Sequence, residues 1–139
     1  MAADTTIAAE ASICILVASI YLGRFNFMRV VLSIIGIHRV ERVVKGDHVV
    51  ARARRVAPDL VLLDDAPPVM DGLALIKQLR EHASTSHLPV IMLTSEVRDE
   101  PRRRNIAALA NVLLLQPCSA QDLRAAIHYC VPRYDPSAS

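Results

Sequence analysis

Two adjacent carboxylates, Asp64 and Asp65, close an apolar run that begins at Leu60. Thr94 closes a second run, Val90–Thr94, and Gln116–Pro117 follows a third, Val112–Leu115. Carboxylates gathered at strand ends could hold a hard cation. Mg²⁺ prefers carboxylate and water oxygens in octahedral geometry, and Asp64 alone makes a poor site for it. Asp65 adds little beside Asp64, because neighbours on a strand point to opposite faces, although that rule weakens at a strand end.

Other chemistries find less support. The histidines (His38, His48, His82, His87 and His128) lack metal-ligand spacing, and His82 and His87 flank a polar loop and should be exposed. No Ser–His–Asp or Cys–His arrangement can be argued, and there is no glycine-rich phosphate loop. Cys14, Cys118 and Cys130 are odd in number and widely spaced, which argues against a disulfide framework or zinc site and for a reducing compartment, the cytoplasm. Two arginine clusters stand out: Arg52, Arg54, Arg55 and Arg102, Arg103, Arg104. One reading makes them solvated helix faces, the second balanced by Asp99 and Glu100. The other makes them an anion site for an acidic partner or a nucleotide such as a cyclic dinucleotide. A net charge of +2 is too small to argue for nucleic acid. Without aromatic interleaving for single strands, or any recognition helix, no DNA partner is expected.

The elements that position these groups follow from periodicity. The 139 residues fit one domain, and 53% of them are hydrophobic, enough for a core. Strand candidates are Ile13–Ala18, His38–Val44, Leu60–Asp64, Val90–Thr94 and Val112–Leu115. All but the second are nearly continuous in Ile, Leu and Val, as strands covered on both faces are. Helices are predicted over 20–35, 47–56, 71–82, 100–109 and 119–130. Their caps are Asp47, Asp71 and Ser119, Pro101 lies in a first turn, Gly36 ends the first and Pro58 stops the second. Leu123, Ile127 and Cys130 form the inward stripe of the last helix. Residues 1–12 read as a flexible leader, 13–131 as the domain and 132–139 as a flexible tail. The apolar stretches Ala11–Leu22 and Val30–Ile37 fall short of the roughly 20 residues of a membrane span, and Arg24 and Arg29 separate them. Five strand–helix repeats imply a doubly wound parallel sheet in a three-layer α/β/α arrangement. The flavodoxin-like strand order 2-1-3-4-5 is the commonest small solution, with functional groups beyond the carboxyl ends of the strands.

Three segments carry a family resemblance: PDLVLLDDAPPVMDGLALIKQLR at 58–80, LPVIMLTS at 88–95 and LLLQPCSAQDL at 113–123. In spacing and order they resemble the third, fourth and fifth strands, with flanking loops and helices, of the receiver domain of two-component response regulators. The N-terminal third resembles it by pattern only. The resemblance implies that Asp64 stands at the phosphoacceptor position and Thr94 at the hydroxyl that bonds the phosphoryl group. It places Gln116 where a lysine pairs with that group, and implies a cis bond before Pro117. It also implies an acidic pair after the first strand that holds Mg²⁺.

The departures decide more. The acidic pair falls on Ala18 and Ser19, or on Ser19 and Ile20 if the register slips by one, and neither option supplies a carboxylate; Leu113 takes the place of a switch aromatic. Gln116 donates a hydrogen bond but carries no charge, so the charge-assisted contact is lost. A phosphoryl group would bring nearly two negative charges without either usual counter-charge, whereas phosphoryl transfer depends on metal and cation. Mg²⁺ binding is therefore expected to be weak or absent, and no other cofactor is expected. Asp64 is either a working phosphoacceptor or a relic carboxylate held by loop amides. Thr94 is either a switch hydroxyl or a strand cap.

The first helix is unusually apolar. Phe25, Met28, Leu32 and Ile35 can form an inward stripe, which leaves Phe27, Val30, Val31 and Ile34 as a partner or dimer face, or as part of a helix more buried than usual. The leading expectation is a stand-alone pseudo-receiver, not an enzyme. It would act by binding a signalling protein such as a histidine kinase, a phosphotransfer protein or a downstream effector, or a second copy of itself. A phosphorylated receiver, which catalyses its own phosphorylation, and a nucleotide-binding effector are the alternatives.

Overall fold

The structure, a computed structural model, describes residues 12–95 and 98–135. Strands and helices alternate as β1 Cys14–Ala18, α1 Leu22–Ile34, β2 Arg39–Val43, α2 Val49–Val56, β3 Leu60–Asp64, α3 Gly72–Glu81, β4 Val90–Thr94, α4 Glu100–Leu109, β5 Val112–Leu115 and α5 Ala120–Cys130. All strand pairs are parallel, and the order β2-β1-β3-β4-β5 is the one expected from the sequence. No helix among the described residues is long and apolar enough to cross a membrane.

Every residue of β1, β3 and β4 is buried. Alternate side chains go to opposite layers, as strand geometry requires. Ile15, Val17, Leu60 and Leu62 pack with α1 and α5, while Leu16, Val61 and Leu63 pack with α2, α3 and α4. Each such aliphatic side chain contributes about 1.5–3 kcal/mol relative to exposure. β5, expected to be covered on both faces, is only partly buried because it forms the far edge of the sheet.

Helix ends follow local hydrogen bonding. Asp71 caps α3 by accepting from the amides of Leu73 and Ala74, and Ser119 caps α5 by accepting from that of Asp122. Asp99 caps α4, with Pro101 in its first turn. The predicted Asp47 cap of α2 is not found. Residues Gly46–His48 form a single 3-10 turn closed by the His48 amide on the Lys45 carbonyl, and α2 begins only at Val49, with no side-chain cap. Ala57, left-handed at φ 50°, ends α2 just before Pro58.

The expected leader lies, apart from Ser12, outside the described residues. Within the expected tail, Tyr134 is buried and its hydroxyl donates to the Ile35 carbonyl at 2.7 Å.

Candidate functional site

The sheet register assembles the site at the carboxyl ends of the strands. Ala18 pairs with Leu63, so Ser19 emerges beside Asp64; Asp64 pairs with Leu93, and Thr94 with Leu115. The ladder runs one residue further, through Ser19 N to Val43 O, Asp65 N to Leu93 O and Gln116 N to Thr94 O, at 2.8–3.0 Å. Ser19, Asp64, Asp65, Thr94 and Gln116 therefore share one rim, and the first four are buried.

Asp64 is engaged by three side chains. Its Oδ2 accepts from Ser19 Oγ at 2.9 Å, and its Oδ1 accepts from Gln116 Nε2 at 2.9 Å. Arg24, from the first turn of α1, forms an ion pair with the same Oδ1 and lies 5.0 Å over the Tyr21 ring. Burial raises the Asp64 pKa above the usual carboxylate value, against the opposing pull of Ser19, Arg24 and Gln116.

Asp65 points elsewhere, as alternation along a strand predicts. Its Oδ1 accepts from the Gly72 amide at 2.7 Å and Arg102 Nη2 at 2.9 Å; its Oδ2 accepts from Arg102 Nη1 at 2.7 Å and Thr94 Oγ1 at 3.1 Å. This is the bidentate fork that makes arginine–carboxylate pairs strong and directional. Arg102 also reaches Asp71 Oδ1 at 2.9 Å, joining α4 to the start of α3. Burial raises the Asp71 pKa, but hydrogen bonds from Arg102 and the α3 amides outweigh it and leave that carboxyl below its usual value. Gly72 has no room for a side chain: a Cβ would lie 2.5 Å from Met92 Sδ and 3.0 Å from Asp65 Oδ1.

The other predicted residues fall as follows. Ala18 is buried at the end of β1, and Leu113 packs against the α2–α3–α4 side of the core. The Gln116–Pro117 bond is cis, and so is Pro67–Pro68. Phe27, Val30 and Ile34 are exposed at 69%, 53% and 74%. Val31, placed with them by the sequence reading, is instead buried under α1, because it falls on the same side as Phe25, Met28 and Leu32. Arg102, expected on a solvated face or at a partner site, is taken up by Asp65 and Asp71. Arg103 and Arg104 pair with Glu100 on the same helix. A mostly apolar cavity of about 270 Å³ opens beside Arg24, Phe27, Gln116 and Pro117.

Sequence reasoning missed the two arginine–aspartate pairs. It used Arg24 only as a break between apolar stretches, although a cation so soon after Ser19 at the start of a helix could have signalled a counter-charge. Nothing local marked Arg102, which lies far along the chain from Asp65.

The response regulator receiver domain model matches residues 24–128. The chain belongs to that family. Among curated relatives, the phosphate regulon transcriptional regulatory protein PhoB of Rhizobium meliloti (strain 1021) is 32% identical over 97 residues, 70% of this chain and 43% of that protein. This receiver chain thus spans less than half the length of that relative. Among solved structures, the chemotaxis protein CheY4 of Vibrio cholerae shares the fold, with a TM-score of 0.75 at 23% identity over 87% of this chain and all of that one (100%). The receiver domain of the sensor histidine kinase PA1611 of Pseudomonas aeruginosa PAO1 matches with a TM-score of 0.74 at 25% identity, over 86% of this chain and 98% of that one. That neighbour holds a magnesium ion in its active-site cleft.

The residues of this receiver do not fit such an ion. Ala18 and Ser19 supply no carboxylate, Asp65 is directed away into the Arg102 fork, and Asp64 already carries the Arg24 guanidinium. Among the described residues, no three carboxylate, imidazole or thiol groups converge in a metal-holding set.

Proposed function

We propose that this chain is an atypical receiver that signals by binding a protein partner, and that ordinary Mg²⁺-dependent phosphorylation of Asp64 does not set its state. The observation that carries this reading is the Arg24–Asp64 ion pair. The guanidinium neutralises the buried carboxylate from within the chain, and an entering divalent cation would have to displace it. Ser19 and Gln116 occupy two further acceptor directions on the same carboxylate. Thr94 donates to Asp65 rather than to Asp64, so its hydroxyl already serves a carboxylate inside the fold.

The sequence reading supposed too little positive charge at this rim. The charge is present, but it is supplied by the chain and is spent on carboxylates the chain already holds. The best-supported surface for a partner is α1, where Phe27, Val30 and Ile34 are exposed and Phe27 also lines the apolar cavity. The partner in this reading is a signalling protein, such as a histidine kinase, a phosphotransfer protein or an effector, met in the cytoplasm, and a second copy of the chain is the competing occupant. The domain is read as residues 13–131.

Beryllofluoride with Mg²⁺, which mimics an aspartyl phosphate, tests this reading by amide NMR. Unchanged positions for Asp64, Thr94 and Gln116 are expected. Saturable shifts there that disappear in Asp64→Asn would reject it and favour a working phosphoacceptor.

A further inference from the structure

Away from the carboxylate rim, α2 carries Arg52 and Arg55, for which no ion pair is found among the described residues. A cleft of about 210 Å³ is lined by His48, Ala51, Arg52 and Arg55. At roughly 30 Å³ per water, it has room for a phosphate-sized group and part of what that group is attached to. Arg52 and Arg55, three residues apart on α2, rise from one stripe of the helix surface, and His48 reaches the same cleft from the turn before it. Among the described residues no carboxylate lines the cleft; Asp47 lies outside it, 4.0 Å from His48 Nε2.

Arg24, Arg102, Arg103, Arg104 and Arg133 all form ion pairs. Among the described residues, none is found for Arg52 or Arg55. Moreover, Arg52 Nε is buried with no hydrogen-bond partner. A buried donor left unmatched is disfavoured, more so when it belongs to a charged group. A ligand bringing acceptor oxygens and negative charge would satisfy it. Guanidinium forks suit phosphate in this way because two parallel N–H donors match two of its oxygens.

We propose that His48, Arg52 and Arg55 form a binding site for a phosphate-bearing anion, either free phosphate or a small phosphomonoester. The site is independent of Asp64 and needs no metal.

The test is an NMR titration of the whole chain at constant ionic strength, following the His48 and Arg52 amides and the Arg52 Nε–H. Inorganic phosphate and adenosine monophosphate are the probes, and chloride is the control. Saturable shifts with either phosphate compound, absent with chloride, are expected, with affinity at least tenfold weaker in Arg52→Met and in Arg55→Met. Arg104→Met should leave affinity unchanged. Equal affinity for both probes points to phosphate alone, and tighter nucleotide binding to a phosphomonoester; both support the site. Linear shifts shared with chloride, or shifts that persist in folded Arg52→Met and Arg55→Met, would overturn it.

Discussion

The Arg24 guanidinium is held between the Asp64 carboxylate and the Tyr21 ring, over which it lies at 5.0 Å. Two residues of one short segment, Tyr21 and Arg24, thus position a cation where the sheet delivers its most buried acid. The Asp64 side chain is fully buried, whereas that of Arg24 is 37% exposed. Removing the partner of a fully buried charge costs about 3–5 kcal/mol, and solvent around Arg24 reduces that figure. Arg24→Ala should therefore destabilise by about 1–3 kcal/mol in urea unfolding, and less when combined with Asp64→Asn. Additive losses in the double variant would show that the two side chains do not interact.

Arg102 should matter more. Its side chain is 16% exposed and forks onto Asp65, whose side chain is fully buried. Arg102→Ala leaves that carboxylate unpaired and should cost about 3–5 kcal/mol. Arg102→Lys should recover only part of this, because an ammonium cannot reproduce the fork. Arg103→Ala, which loses only a partly exposed pair on its own helix, should stay within about 1 kcal/mol. Denaturation midpoints of the three variants check the ranking.

Asp64 and Asp71 should give opposite pH signatures. The folded chain raises the Asp64 pKa through burial, so stability from this group is lost as pH rises from the ordinary value of about 3.9 through the raised one. The melting temperature of Asp64→Asn should therefore improve relative to wild type between acid and neutral pH. The Asp71 pKa is lowered despite its burial, chiefly by Arg102. Its contribution is complete above about pH 3.9 and disappears as pH falls through the lowered value. Asp71→Asn should lose most at neutral pH and match wild type in strong acid.

The fold was legible because its signal is local. Uninterrupted Ile, Leu and Val runs at Leu60–Asp64 and Val90–Thr94 leave buried parallel strands as the reading, and Asp71 and Ser119 mark helix starts by the amides they accept from. The position of Asp64 was legible for the same reason. What accompanies it was not. That Asp65 turns away from Asp64 follows from strand alternation, but that it meets Arg102 depends on where α4 lands, which is not written in the neighbouring residues. Asp47 failed as a cap because a backbone-closed 3-10 turn competed locally for the same position.

The two valines in the middle of α1 separate surface from core. Val30 is 53% exposed and Val31 is 9% exposed. Val31→Ala should cost about 1–2 kcal/mol as a buried truncation, whereas Val30→Ala, Phe27→Ser and Ile34→Ser should stay within about 0.5 kcal/mol. If α1 is the partner surface, those last three should weaken binding of the physiological partner without lowering the melting temperature. Equal destabilisation by Val30→Ala and Val31→Ala would place both faces of α1 in the core.

The most direct measurement of whether Asp64 is closed to phosphorylation is intact-mass analysis after incubation with acetyl phosphate and Mg²⁺, alongside Arg24→Ala and Asp64→Asn. With its carboxylate already paired to Arg24, the wild-type chain should show no stable added phosphoryl group. Stoichiometric labelling of the wild type, abolished in Asp64→Asn, would contradict the account.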